Sequence, residues 1–163
     1  MGVKIPGLQA MVKKLNDLGA NVEKTADESL RKSADMMKRE VENNISRVSV
    51  SYKGRIYKAV DTGRLKNNIH VNKLGSCRYA VGTDVKYATY VEFGIGSAGD
   101  PVVAHNISDK CMRKNKQTGE SKLVHFAPQP PRPYMRPAFN SLRDVVIQNM
   151  SNAITKAWKE GAG

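Results

Sequence analysis

The sequence is poor in aromatic residues and in cysteines, and these shortages exclude several classes of protein. Aromatic residues make up 6% of the 163 residues, so the core must consist mainly of aliphatic side chains. Two cysteines are too few for a disulfide framework and fit a reducing compartment. No apolar stretch is long enough to span a bilayer, and Met1–Leu15 lacks the apolar centre of a signal peptide. We therefore expect a protein made in the cytoplasm, with no membrane partner.

Acidic residues are also scarce, with 15 against 27 basic residues and a net charge of +12. Such a charge favours polyanionic partners. Segments 51–78 and 110–143 are strongly basic, whereas 79–109 contains one basic and four acidic residues. An acidic segment between two basic ones would suit head-to-tail packing of like subunits. Solvated surface loops explain the same charges equally well.

The sequence offers little that could form a catalytic or metal site. No pair of potential soft ligands has the spacing of a zinc motif, and no nucleophile elbow or paired-carboxylate site is evident. Glu92 is the only carboxylate placed in an apolar segment, and we interpret it as a structural partner for an arginine. These patterns predict a protein that is not an enzyme and has no cofactor or metal. The soft ligands are His70, His105, His125, Cys77 and Cys111.

The segment Gly94-Ile95-Gly96-Ser97-Ala98-Gly99 matches the dinucleotide-binding fingerprint letter for letter. Phosphate binding by that motif needs a helix that begins directly after the glycines. Here Asp100-Pro101 follows without a helical apolar period, and no βαβ pattern surrounds it. We interpret the segment as a flexible loop.

Apolar periodicity predicts a helix at each end of the chain. Between Leu8 and Ile45 apolar residues recur mostly three or four positions apart, which is typical of a helix lying on a flat surface. Gly19-Ala20-Asn21 weakens the middle of this helix, where it could kink or split. The last helix is predicted from near Pro137 to about Lys159. Its proposed single apolar stripe consists of Leu142, Val145, Val146, Met150, Ile154 and Trp158.

Short strands are predicted between the helices. Ser49–Tyr52 has an extended pattern, and Lys53-Gly54-Arg55 follows as a turn. Alternation within Leu65–Leu74 predicts a hairpin that returns through Gly75-Ser76 into Arg78–Val81. Val85–Phe93 fits either a strand or a short helical turn.

Residues 95–127 are the least regular part of the chain. Asn115–Glu120 is interpreted as the tip of another hairpin, with arms near Ile107–Arg113 and Lys122–Phe126. Loops of this length in compact domains are usually functional or become ordered on binding. Four prolines then impose an extended stretch before the last helix: Pro128, Pro130, Pro131 and Pro133.

Together these elements predict an α+β fold, in which a long N-terminal helix and a C-terminal helix pack on an antiparallel β-sheet with a long inserted loop or hairpin. We predict one domain. Its parts are the N-terminal helix (1–47), the sheet (48–94), the insertion (95–127), and the proline segment with the C-terminal helix (128–163).

Three segments in order resemble a known family. They are Asp61-Thr62-Gly63-Arg64-Leu65 with Ile69, then Tyr87-Ala88 with Tyr90–Gly94, and then Pro130–Phe139. Their order and spacing resemble the neck or tail-completion family of long-tailed bacteriophages over about residues 50–160. The sequence departs from the family pattern at 95–127, where family members commonly have a shorter connection.

The resemblance implies a structural virion protein of the phage neck, at the head–tail junction, made in the host bacterial cytoplasm. It implies a homo-oligomeric ring, six- or twelve-fold, that contacts the head connector and tail proteins. DNA would pass through the lumen without sequence-specific binding, and no catalytic residue, cofactor or small-molecule substrate is implied. Alternatives are a tail terminator or head-closure protein, or a basic nucleic-acid-binding protein. The last lacks a helix-turn-helix pattern, zinc knuckle or aromatic stacking platform.

Two groups of residues follow as candidates. We expect Arg64 to pair with Glu92, and Phe139 to fill the core, whereas Tyr134 fits either the core or an interface. The predicted assembly interface consists of Lys110, Arg113, Lys114, Lys116, Lys122, Arg132, Tyr134 and Arg136. The predicted structural motif consists of Asp61, Thr62, Gly63, Arg64, Tyr87, Glu92, Phe93, Gly94, Pro133 and Pro137.

Overall fold

A computed structural model describes residues 8–60, 63–101, 110–114, 119–125 and 127–162. The described part combines three helices with six short strands, which confirms the predicted α+β class. In chain order the elements are α1 (Leu8–Arg47), β1 (Ser49–Tyr52), β2 (Arg55–Lys58), β3 (Ile69–Gly75), β4 (Arg78–Thr83), α2 (Ala88–Phe93), β5 (Lys110–Lys114), β6 (Ser121–His125) and α3 (Met135–Ala162). None of the helices in these ranges is long and apolar enough to cross a membrane.

The strands form three separate two-stranded ladders within the described residues: β1 with β2, β3 with β4, and β5 with β6. Each ladder joins strands that are neighbours in sequence. The hairpins predicted for Leu65–Val81 and for the insertion are confirmed, whereas strand β2 after the predicted turn was not predicted. In the first ladder, Ser49 lies opposite Lys58, and Lys53 and Gly54 connect the strands with φ angles of 49° and 75°. Left-handed conformations at both positions of a two-residue turn match the twist of the paired strands. The six strands do not combine into one sheet.

Helix α1 is continuous from Leu8 to Arg47, so Gly19-Ala20-Asn21 does not split it. Nothing lies within 4 Å of the position where a side chain of Gly19 would begin, and the following two residues are also exposed. The regular apolar spacing on both sides therefore outweighs the low helix propensity of a single glycine.

The chain divides into two compact units. The first contains α1 up to Lys38, Val71–Val81 and α3 from Ser141. In this unit the Asp27 carboxylate of α1 accepts hydrogen bonds from Lys73 Nζ at 2.6 Å, from the Cys77 backbone N–H at 3.0 Å and from the Tyr79 hydroxyl at 3.0 Å. The hydrogen bond from Lys73 lowers the pKa of Asp27. These contacts hold the β3–β4 hairpin against α1.

Elsewhere in the first unit, α1 and α3 approach each other closely. A side chain added at Gly161 would collide with Leu18. Glycine at this position therefore lets the two helices pack near their ends.

The second unit contains Arg39–His70 and Gly82–Asn140. Its core is aliphatic, as the scarcity of aromatic residues requires. The largest fully buried side chains of the described residues all belong to it: Val41, Ile45, Leu65 and Ile95.

Helix α2 resolves the ambiguity over Val85–Phe93, since Ala88–Phe93 is helical. Its buried residues include Ala88 and Val91, which lie three positions apart on one side of the helix. The short apolar run contains a single helical repeat, which periodicity could not separate from a strand.

Helix α3 begins two residues earlier than predicted, and its apolar residues do not form one stripe. Leu142, Val146 and Met150 are partly buried, whereas Ile154 and Trp158 are exposed. The expectation that Phe139 fills the core is wrong, because this residue is 59% exposed while its neighbour Ala138 is fully buried. Alanine occupies the inward position there, and the helical rotation carries the next residue outward.

The insertion contains the predicted hairpin, formed by antiparallel strands β5 and β6. Lys110 lies opposite His125, and Arg113 lies opposite Lys122. Residues 115–118 of the predicted tip, and Ile107 and Phe126 of the predicted arms, lie outside the described residues.

Candidate functional site

The second and third motif segments meet at the start of α3. Helix α2 ends at Phe93, and Gly94 follows with a φ of 76° and donates its N–H to the Tyr90 carbonyl at 3.0 Å. A Cβ at Gly94 would lie 2.6 Å from the Gln129 carbonyl oxygen and 2.9 Å from the Pro131 nitrogen. Only glycine satisfies both the backbone angle and the close approach of the proline segment.

Backbone hydrogen bonds fix the proline segment beside α2. Ile95 and Gln129 exchange a pair of N–H···O bonds of 2.9 and 3.1 Å, and the Arg132 N–H donates to the Val91 carbonyl at 2.8 Å. Ile95 is buried. The two ends of the insertion are therefore held together, although about thirty residues of sequence separate them.

The glycine-rich segment after α2, which we expected to be a loop, contains a short 3-10 turn. Gly96–Ala98 forms this turn, and the Asp100 N–H donates to the Phe93 carbonyl at 2.7 Å. In the described residues that directly follow Gly99, which are Asp100 and Pro101, no helix begins, so the amides of this segment are not arranged as the dinucleotide fingerprint requires. The described part of the glycine-rich segment instead connects α2 to the insertion.

Glu92 is the central side chain of this site and is buried. One carboxylate oxygen accepts the backbone N–H groups of Tyr134 at 2.7 Å and Met135 at 3.0 Å. The other accepts the Arg136 backbone N–H at 3.1 Å and its side-chain Nε–H at 3.2 Å. The first N–H groups of a helix have no acceptor within the helix, and a negative charge there also interacts favourably with the helix dipole. Glu92 thus caps α3 from a distant part of the sequence.

Arg136, and not Arg64, is the arginine that pairs with Glu92. Its guanidinium also donates to Asp100 at 2.9 Å and lies 4.9 Å from the centre of the Phe93 ring. The hydrogen bonds to Asp100 and Glu92 raise the pKa of Arg136. Arg64 is exposed, so the predicted Arg64–Glu92 pair is wrong. Glu92 does pair with an arginine, as predicted, but that arginine belongs to α3 and lies 44 positions away in sequence.

Arg132 joins the proline segment to the first hairpin. The residue is 7% exposed, and its guanidinium donates to the Lys58 carbonyl at 3.2 Å and to Gln129 Oε1 at 2.9 Å. The guanidinium carbon lies 5.8 Å from the centre of the Tyr57 ring. Burial lowers the pKa of Arg132, and its Nε has no hydrogen-bond partner among the described residues. Both acceptors are uncharged, so Arg132 links the proline segment to β2 through hydrogen bonds and not through an ion pair.

Tyr134 completes the site from the inside. The side chain is buried, and its hydroxyl donates to the Ala88 carbonyl at 3.4 Å. Asn44 of α1 donates to the Tyr134 carbonyl at 3.2 Å. Burial raises the pKa of Tyr134, so the phenol stays protonated. Of the two roles left open by the sequence, the structure supports the one in the core.

The predicted assembly residues therefore fall into separate places. Arg132 and Tyr134 are buried, whereas the Arg136 side chain is about half exposed. Their assembly role remains a prediction. The remaining described members lie on the β5–β6 hairpin, namely Lys110, Arg113, Lys114 and Lys122. Lys116, Asp61 and Thr62 lie outside the described residues.

Sequence reasoning missed Asn44, Asp100 and Gln129, which all bond to the proline segment or to Arg136. None of them stands in a motif, and their partners are at least three and up to 90 residues away in sequence. Pro133 is half-buried, Pro137 is exposed in the first turn of α3, and Tyr87 is exposed before α2. Gly63 adopts a left-handed φ of 75°.

The arrangement is suited to fixing the backbone. Both oxygens of Glu92 are occupied by donors, so neither is free to accept a proton from a substrate. Over the ranges that the structure describes, no group of three His, Cys, Asp or Glu side chains is placed to hold a metal ion.

The comparison with protein families gives a match over α1, the first two hairpins and α2. The family model described as "Bacteriophage HK97-gp10, putative tail-component" matches residues 9–94, just over half of the chain. The match ends at Gly94, so the proline segment and α3 lie beyond it. The comparison with curated proteins gave no match, and neither did the comparison with solved structures.

Proposed function

Because the chain belongs to the HK97-gp10 family of bacteriophage tail components, we propose that it forms an oligomeric ring that joins the connector of the DNA-filled head to the tail. Membership makes the chain a structural protein of a phage virion that interacts with other head or tail proteins. The ring, its place in the neck and the passage of DNA through its lumen are the proposal.

The β5–β6 hairpin is the observation that carries the proposal. Within the described residues these strands pair with each other and with no other strand. A lone two-stranded hairpin is marginally stable in water and gains stability when it packs against something else. Four basic residues occupy its strands, so a neighbouring subunit or virion protein with an acidic surface would fit it.

Exposed apolar residues on all three hairpins support the same conclusion. Ile56 on β2, Leu74 on β3 and Leu123 on β6 are each at least half exposed. The free edges of two-stranded ladders can also pair with strands of another chain. A protein with this surface gains by assembling, since contacts between copies would cover both features.

The alternation of basic and acidic segments along the sequence supports head-to-tail packing of subunits less than expected. Of the acidic residues in 79–109, Glu92 and Asp100 bond to Arg136 within the chain. Asp84 lies 3.9 Å from the His70 ring, but its side chain is strongly exposed and is accessible to other molecules. Head-to-tail packing would therefore depend more on the hairpins than on an acidic face.

The test reverses the charge of the insertion. We expect that Arg113→Glu, Lys114→Glu and Lys116→Glu, introduced together, leave the chain folded but abolish head–tail joining in an extract of a phage mutant that lacks the protein. Lys14→Glu, Lys24→Glu and Lys32→Glu on the exposed side of α1 change the net charge equally and serve as the control. Normal phage yield with the insertion variant would remove the hairpin from the assembly surface.

Electron microscopy separates the proposal from its alternatives. A ring on filled heads with tails attached supports the neck position, whereas a ring that caps only isolated tail tubes supports a tail terminator. A basic nucleic-acid-binding protein would instead retain DNA, with an affinity that falls steeply as salt rises. Absence of any ring on heads or tails would contradict the proposal.

A further inference from the structure

Helix α3 presents a second apolar stripe to solvent. Ile147, Ile154 and Trp158 are 57%, 38% and 57% exposed. At about 100° per residue they project within roughly 40° of one another around the helix. Ala157, on the inward side, is fully buried, so the exposed stripe is distinct from the one that packs within the unit. Three large apolar residues in helical register form a surface that a second helix can cover.

Charged residues lie on both ends of this stripe in a self-complementary order. Arg143 and Asp144 precede it, and Lys159 and Glu160 end it. If two copies of α3 pack antiparallel about a two-fold axis, one register places Asp144 opposite Lys159 of the second copy and Arg143 opposite Glu160 of the second copy. The same register places Ile147 between Ile154 and Trp158 of the second copy.

The parallel arrangement is disfavoured by the same residues. A parallel pair would set each charged residue against its own counterpart, with two carboxylates at 144 and two ammonium groups at 159, which repel. Glu160 also lies 3.8 Å from Lys156 of its own helix, one turn away. Asp144 and Lys159 have no such contact among the described residues, so they define the register best.

We propose that free subunits pair through an antiparallel contact between the α3 helices of two copies, formed by Ile147, Ile154 and Trp158 and aligned by Asp144 and Lys159. This contact goes beyond the ring proposed above. A two-fold contact closes on itself, so it joins two copies and leaves ring closure to other surfaces. It keeps the exposed stripe away from water before virion partners are present.

The test measures the oligomeric state of the purified full-length chain by sedimentation over a range of concentrations. We expect a dimer whose dissociation constant rises about tenfold or more with Lys159→Glu, because two like-charge contacts replace two attractive ones. Asp144→Lys should have the same effect, and the two substitutions together should restore dimerisation. Lys32→Glu makes the same charge change on exposed α1 and should leave the dimer intact.

A second variant tests the apolar part. Ile154→Glu should give a folded monomer, with helix content checked by circular dichroism. If that variant fails to fold, the charge exchange still decides the matter, because its residues are exposed. A chain that is monomeric at every concentration, or a double charge variant that stays monomeric, overturns the proposal. A monomeric chain that still restores head–tail joining would overturn the pairing and leave the ring standing.

Discussion

The first turn of α3 is held by hydrogen bonds within the chain, whereas its later turns expose apolar side chains to solvent. The first turn is fixed by a buried carboxylate that accepts three of its backbone N–H groups, and by Arg132 and Tyr134 next to it. The later turns carry Ile147, Ile154 and Trp158 toward solvent. The buried motif residues Glu92, Arg132 and Tyr134 therefore hold the start of α3 in place, whereas the exposed apolar residues of its later turns belong to no motif.

The strongest test of this contrast is Glu92→Ala. Removal of the carboxylate leaves three backbone N–H groups and the Arg136 Nε–H without their acceptor, and we expect a loss of about 3–5 kcal/mol in the free energy of unfolding. Urea denaturation would measure it. Glu28→Ala, at an exposed glutamate of α1, should change stability by about 0.5 kcal/mol or less. Equal losses for both variants would contradict the central role of Glu92, while Glu92→Gln should fall between them because one acceptor oxygen remains.

Gly94→Ala should have a smaller effect, a loss of about 2–3 kcal/mol in the free energy of unfolding. An alanine at this position would have to keep a left-handed φ angle, and its methyl group would collide with the Gln129 carbonyl. Gly54 also has a positive φ, of 75°, but nothing lies within 4 Å of its added Cβ, so Gly54→Ala should cost less, at about 1 kcal/mol. The extra loss expected at Gly94 has two causes: its ψ of −173°, which only glycine readily adopts at a positive φ, and the close approach of the proline segment. Urea denaturation measures both losses, and equal losses would contradict both causes.

The smallest effect should come from Phe139→Ala, just past the first turn of α3. Truncation of a buried phenylalanine costs about 3–5 kcal/mol, whereas this exposed ring should contribute about 1 kcal/mol or less. The measurement is thermal or urea unfolding at a concentration where the chain does not self-associate. A loss near the buried value would mean that Phe139 belongs to the core after all, as its sequence alone suggests.

Elements governed by local rules could be predicted from the sequence. The long helix follows from its regular apolar spacing, and the turn after β1 follows from Gly54, which readily adopts a left-handed angle. The family resemblance at 50–94 also agrees with the match over residues 9–94. The resemblance in the proline segment lies outside that match, although the structure brings this segment against α2.

Features that depend on long-range contacts could not be predicted. The motif segments contain three arginines, Arg64, Arg132 and Arg136, and only the fold shows that Arg136 is the partner of Glu92. The apolar residues of α3 also divide into an inward and an outward stripe, which a count of apolar positions merges into one. Burial depends on what lies opposite each residue, and a single helix does not contain that information.

The paired bonds between Ile95 and Gln129 have a consequence for the evolution of the chain. Because they hold the two ends of the insertion together, we expect changes in the residues between them to leave the fold around α2 intact. The entropy of closing such a loop rises only slowly with its length, so longer or shorter arms cost little stability. A phage could therefore replace the insertion to suit a different neighbouring protein, while the contacts between α2 and the start of α3 are kept.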